Sequence, residues 1–174
     1  LCFEKKQSFM IKLALGTAQF GFAYGVANKV GQISKEEARK ILGVAKERGI
    51  DTIDTAVAYG ESEQVLGKIG VDGFKIVTKL PSPPNDLSNT KAWIESQIMR
   101  SLARLRVESV YGVLLHRAED LLGDVGRQLA CSLESLKSSG ITEKIGISIY
   151  SPSELDKVDQ VTNIDLVQAP LNLT

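Results

Sequence analysis

Four side chains have the types and spacing for proton chemistry: Asp54, Tyr59, Lys79 and His116, the only histidine in the chain. Asp54 lies in one short apolar stretch and Tyr59 follows it, Lys79 ends a second stretch, and His116 follows a third. Taken singly, each has a bland explanation: a turn aspartate, a half-buried loop tyrosine, a solvated lysine at a strand end, a structural histidine. Together they suit carbonyl reduction. Hydride arriving at a carbonyl carbon leaves a developing alkoxide, which needs a proton donor and fixed hydrogen-bonding or positive groups around it. A phenol with pKa ~10 is a weak acid near neutrality. An ammonium ~4 Å away contributes on the order of 4 kcal/mol at an effective dielectric of 20, equivalent to about three pKa units. On this reading Tyr59 gives the proton, Lys79 acidifies it, Asp54 holds Lys79, and His116 orients the carbonyl oxygen.

These groups need a frame that brings successive strand ends together. Apolar stretches over 11–15, 52–56, 74–79, 109–115, 144–148 and 165–169 read as strands. Helical spacing fills the intervals over 35–48, 62–68, 91–106 and 124–139, with a further helix starting at Ser151-Pro152-Ser153-Glu154. Ala38, Ile41, Leu42 and Ala45 share one face of the first helix, and Ile94, Ile98, Leu102 and Leu105 share one face of the third. Ser34 with Glu37 forms a capping-box pattern, and Gly49 and Gly140 stand where helices stop. Pro81-Ser82-Pro83-Pro84 is a loop, because proline removes backbone donors. Strand–helix alternation with continuously apolar strands predicts an α/β fold with a parallel sheet and right-handed crossovers. An open doubly wound sheet and a closed barrel compete. The first strand is not followed by GxGxxG, and polar residues gather at the carboxyl ends of the strands, the rim where (β/α)8 barrels carry their chemistry. The barrel is the better reading.

Bulk properties narrow the function classes. The chain has 174 residues, 43% hydrophobic and 24% charged, with Lys+Arg and Asp+Glu balanced at 21 each. No basic run tracks phosphates, so nucleic acid is not an expected partner. The longest apolar runs fall far short of the ~20 residues of a membrane span, so no membrane partner is expected. The two cysteines, Cys2 and Cys131, show no CxxC spacing. Without a leader pattern, they read as a reduced pair in a cytoplasmic protein. No metal site is expected.

The segments 15–21 (Leu-Gly-Thr-Ala-Gln-Phe-Gly), 53–60 (Ile-Asp-Thr-Ala-Val-Ala-Tyr-Gly) and 63–67 (Glu-Gln-Val-Leu-Gly) resemble the opening of an aldo-keto reductase. So do Val77-Thr78-Lys79, 101–105 (Ser-Leu-Ala-Arg-Leu), Leu114-Leu115-His116 and 145–148 (Ile-Gly-Ile-Ser), in the family's order over nearly all of 10–174. The resemblance implies Asp54, Tyr59, Lys79 and His116 as a catalytic tetrad. It implies NADPH as cofactor, with NADH possible, and a small-molecule carbonyl substrate. Ser148 and Gln168 would contact the nicotinamide carboxamide, with Gly16, Thr17 and Asp54 also at the cofactor. One position departs: Ile149 stands where the family often has asparagine, and its side chain cannot hydrogen-bond a carboxamide.

Residues 1–9 carry no periodic pattern and read as a disordered or non-native extension, with Met10 as the natural start. A (β/α)8 barrel needs eight strands and ~250 residues, whereas six strands can be read here. The chain is therefore expected to be an incomplete barrel over 10–174, inactive by itself, with open edges that invite self-association. Two other functions compete with the reductase: a nucleotide-binding regulatory or redox-sensing barrel, and an aldolase or isomerase using Lys79 as a Schiff-base lysine.

Overall fold

The computed structural model describes residues 12–26, 28–158 and 161–170. Six strands form one parallel sheet in chain order: β1 (Ala14–Gly16), β2 (Thr52–Asp54), β3 (Lys75–Leu80), β4 (Val110–Leu115), β5 (Thr142–Ser148) and β6 (Leu166–Gln168). Between them run α1 (Ala18–Gly21), α2 (Lys35–Glu47), α3 (Ser62–Ile69), α4 (Thr90–Leu105), α5 (Gly126–Ser138) and α6 (Pro152–Val158). The expected extension over 1–9, together with Met10, lies outside the described residues.

Distances across the sheet decide between the open and the closed architecture. Neighbouring strands lie ~4.8 Å apart, so β2 and β6, four steps apart, would stand about 19 Å from each other in a flat sheet. Instead Gln168 Nε2 donates to Asp54 Oδ2 at 3.3 Å. The sheet is curled, as in the first six strands of a (β/α)8 barrel. Two glycines allow the curl. A Cβ on Gly146 would overlap the Leu166 carbonyl, and one on Gly112 would lie 2.9 Å from Leu166 Cδ1. Any side chain on the inner face of β4 or β5 at these levels would push β6 outward.

Alternation along each strand separates chemistry from core. Register places Lys79, Leu114, Gly146 and Leu166 at one level of the inner face, with Gly16, Asp54 and Val77 at another. The opposite face carries Ile53, Ile76, Leu80, Val113, Leu115, Ile145 and Ile147, all buried against the helices. The helices return the expected faces: Ala38, Leu42 and Ala45 from α2, Ile94, Ile98, Leu102 and Leu105 from α4, and Leu129, Leu133 and Leu136 from α5 are buried. Each fully buried leucine or isoleucine contributes roughly 1.5–3 kcal/mol.

Local chemistry fixes most helix starts. Ser34 Oγ accepts from Glu37 N at 3.2 Å, as its spacing predicts. The start of α4 was less legible: Asn89 caps it, accepting from Ala92 N at 2.9 Å. Two short elements fall where the sequence reads as loop, α1 and a 3-10 turn at Ala118–Leu121. At four residues each, neither is long enough to show a helical period. The second strand ends at Asp54 rather than at residue 56, yet the chain stays against β3 through Thr55 N–Val77 O and Val57 N–Lys79 O bonds of 2.9 and 3.0 Å.

Candidate active site

The site begins with a lysine that the fold buries. Lys79 lies on the inner face of β3 and is 1% exposed. Its ammonium donates to Asp54 Oδ1 at 2.5 Å, to the Thr55 carbonyl at 3.0 Å and to the Tyr59 hydroxyl at 3.4 Å. Three N–H donors thus meet three acceptors. Burial depresses the Lys79 pKa, and the Asp54 carboxylate opposes that shift. This geometry argues against a Schiff-base role, since a nucleophilic amine needs a free lone pair and this nitrogen is enclosed as a cation.

Tyr59 is held by its backbone. Its amide donates to Ala56 O and its carbonyl accepts from Ser62 N, both at 3.0 Å. Gly21, at the end of α1, packs so closely that a Cβ there would overlap the Tyr59 carbonyl. Gly60 follows at φ +56°, a left-handed turn position natural to glycine. Beneath the loop, Ser62 Oγ donates to Thr17 and lies 3.1 Å from Thr55 Oγ1, a fully buried hydroxyl cluster joining the ends of β1 and β2 to the start of α3. Isolated serines and threonines gave no warning of it.

The His116 ring stands edge-on to the Tyr59 ring, with centroids 6.0 Å apart and planes at 81°. Burial, and then the Lys79 charge, lower the His116 pKa below its ordinary value. The imidazole is therefore neutral near pH 7, a hydrogen-bond donor at one nitrogen and an acceptor at the other. Beyond Tyr59 the aromatic series continues to Phe22 at 6.4 Å and from Phe22 to Tyr24 at 5.6 Å.

The expected acidification of Tyr59 by Lys79 is not found in this resting site. Burial first, and then the Asp54 charge, push the Tyr59 pKa up to about 12. The reason is the order of titration. The Lys79 pKa lies below 10.5 and that of Tyr59 above it, so the ammonium has lost its charge before the phenol ionises. Below that range, Asp54 already balances the lysine. Tyr59 therefore keeps its proton at neutral pH.

The remaining candidate residues divide in two. Gln168 and Ser148 are paired in register at the ends of β6 and β5. Asp54 engages the Gln168 amide nitrogen, which leaves Gln168 Oε1 buried with no partner. Ser148 and His116 line a cavity of about 490 Å³ together with Ala58, Ser82 and Tyr150. Ile149 is buried, and its backbone N–H donates to the Gln168 carbonyl at 2.8 Å, so it holds β6 in place through its main chain. Gly16 pairs with Asp54 in the ladder. Thr17 is fully buried, its hydroxyl donating to the Asp54 carbonyl at 2.9 Å, so its side chain belongs to the framework under the site.

Among the described residues, no group of three or more His, Cys, Asp or Glu side chains could hold a metal ion, and no helix is long and apolar enough to cross a membrane. The profile of the aldo/keto reductase family matches residues 12–174. An aldo-keto reductase of Mycolicibacterium smegmatis is 29% identical over 140 residues, covering 76% of this chain and 47% of its own. The crystal structure of an aldo-keto reductase from Pseudomonas aeruginosa superposes with a TM-score of 0.74 at 28% identity, over 92% of this chain and 63% of that one. A Bombyx mori aldo-keto reductase solved with NADP has a TM-score of 0.70 at 20% identity, covering 92% of this chain and 54% of its own, a likeness of fold. The chain spans about half the length of the curated relatives it matches. With this curled sheet and the buried lysine at its rim, it belongs to the aldo/keto reductase family.

Proposed function

We propose that the protein containing this chain is an NADPH-dependent reductase that converts an aldehyde or ketone to an alcohol, with Tyr59 as the proton donor. The observation that carries the proposal is the Lys79 ammonium, enclosed by Asp54, the Thr55 carbonyl and Tyr59 beside a neutral His116.

The residues present fit a nicotinamide. Gln168 Oε1 is a buried acceptor without a partner, suited to the N–H of a carboxamide, and the Ser148 hydroxyl can donate to its oxygen. When bound, the reduced nicotinamide supplies the hydride. The chain's own groups do the rest. His116 donates a hydrogen bond to the carbonyl oxygen and aims it. Tyr59 passes its hydroxyl proton to that oxygen as negative charge develops there. The resulting phenolate faces the Lys79 ammonium, which stabilises it until solvent returns a proton.

A phenol at about 12 is acidic enough for this step. An alkoxide is roughly as basic as hydroxide, the conjugate base of water with pKa ~15.7. Transfer from Tyr59 is therefore downhill by about four units without any help from a depressed phenol pKa. The enzyme's test is loss of NADPH absorbance that depends on added aldehyde, with the alcohol recovered in equal amount. NADPH binding without turnover over a panel of aldehydes and ketones would instead support a regulatory barrel. Preference for NADPH over NADH is read from the ratio of kcat/KM for the two cofactors.

A further inference from the structure

Glu63 lies on the far side of β3 from the site, and it is 1% exposed. Its Oε1 accepts from the Thr78 hydroxyl at 2.7 Å, while Oε2 accepts from Ser101 at 3.2 Å and from Arg104 Nε at 2.7 Å. A carboxylate this deep needs partners, and Arg104 supplies the charge. Arg104 alone, however, would join only α3 to α4. Gly67 already presses those helices together, since a Cβ there would overlap the Arg104 carbonyl. The bond to Thr78 does something else.

Thr78 and Lys79 are consecutive in β3, so their side chains leave opposite faces. Ser62 and Glu63 are likewise consecutive at the start of α3, and Ser62 N holds the Tyr59 carbonyl. A closed circuit results. It runs from the Tyr59 hydroxyl to Lys79, through the strand to Thr78, across to Glu63, and back through Ser62 to Tyr59. One side of the circuit lies inside the barrel and the other in the helix layer.

We propose that Glu63, acting through Thr78, is a positioning residue that sets the separation of Tyr59 and Lys79. The inference deepens the reductase reading and rests on its assignment of the Tyr59–Lys79 pair. Fixing the strand from behind keeps Lys79 from sliding along β3 relative to the Tyr59 loop. A displacement of ~1 Å in such a pair lowers turnover by as much as about a hundredfold.

The test cuts the circuit at Thr78. Thr78→Val keeps the shape of a fully buried side chain and leaves Glu63 with Arg104 and Ser101; Thr78→Ser keeps the hydroxyl. In the intact enzyme, Thr78→Val is expected to lower kcat about tenfold with the NADPH Kd unchanged, and Thr78→Ser to restore kcat to within about twofold of wild type. A second readout needs neither cofactor nor turnover. Fluorine NMR of 3-fluorotyrosine, with the Tyr59 resonance assigned by Tyr59→Phe, follows the phenol titration. In Thr78→Val that titration moves down toward the solvent-exposed tyrosines, as water enters beside the ring. Should valine prevent folding, Thr78→Cys, with its weakly donating thiol, is read in the same way. Wild-type kcat and titration in a folded Thr78→Val protein overturn the proposal and leave the reductase reading standing. A moved titration in a protein without carbonyl turnover does the reverse.

Discussion

Replacing Tyr59 by phenylalanine removes one oxygen and little else. The ring keeps its edge contacts with His116 at 6.0 Å and Phe22 at 6.4 Å, and Lys79 Nζ stays 4.9 Å from its centroid. Lys79 loses the longest of its three hydrogen bonds and retains those to Asp54 and Thr55. Fold and cofactor affinity should therefore change little. Turnover should not survive. A gap of about four pKa units between the phenol and an alkoxide corresponds to ~5 kcal/mol for complete proton transfer at 1.36 kcal/mol per unit. With the proton half transferred in the transition state, about half of that, ~2.5 kcal/mol, is lost, or close to a hundredfold in rate. Partial solvent access to the ring trims this figure, and loss of a positioned donor adds to it. The expected fall in kcat is thus about 10²- to 10⁴-fold, the usual range for a general acid. The assay is steady-state reduction of an aromatic aldehyde by the intact enzyme, with NADPH affinity measured in parallel by fluorescence. A Tyr59→Phe enzyme within about tenfold of wild type, at unchanged cofactor affinity, would refute the assignment of the proton donor.

Three further outcomes follow from the same geometry. The double variant Asp54→Asn/Lys79→Met should be inactive yet as stable as wild type at pH 7, or more stable by about 1–4 kcal/mol, because a buried ion pair often contributes less than apolar packing of similar volume; chemical denaturation measures it. The Lys79 pKa is depressed in the fold, so folded protein binds fewer protons there than unfolded chain, and stability should rise with pH from the folded Lys79 pKa up to 10.5. Tyr59 acts in the opposite sense, its contribution present below pH 10 and lost as pH climbs through about 12; Lys79→Met and Tyr59→Phe should each remove their own part of the pH–stability curve. Gly21→Ala drives a methyl into the Tyr59 carbonyl, and thermal melts should show destabilisation of about 1–3 kcal/mol together with a fall in kcat. Gln168→Leu removes the unpartnered acceptor, so the NADPH Kd, measured by fluorescence quenching, should rise about tenfold if one hydrogen bond of roughly 1.5 kcal/mol is lost.

The features legible in the sequence share one property: each is a repeating pattern or a single residue with an unusual demand. Helix faces such as Ile94, Ile98, Leu102 and Leu105 follow from a 3.6-residue period, and Ser34–Glu37 marks a helix start by spacing alone. Lys79 invites attention because lysine at the end of an apolar strand needs a partner. The rest depends on contacts between distant segments. Nothing local in Thr17, Thr55 or Ser62 announces that their hydroxyls meet, and the carboxylate of Glu63 finds its arginine 41 residues away. Gly112 and Gly146 look like weak points in their strands until Leu166 folds over them. The sense of the Tyr59 shift was equally out of reach, because it turns on how deeply the ring is buried and on a lysine whose charge Asp54 has already balanced.

The two consecutive residues of β3 with opposite tasks also restrict how the gene can change length. Deleting or inserting one codon in the turn over 70–74, ahead of the strand, would rotate the sequence by half a repeat against its neighbours. Threonine would then point into the catalytic chamber and lysine into the oily layer beneath the helices. Point substitutions in that turn leave this polarity intact, whereas any odd change in its length reverses it, so this stretch should tolerate new letters far better than new spacing.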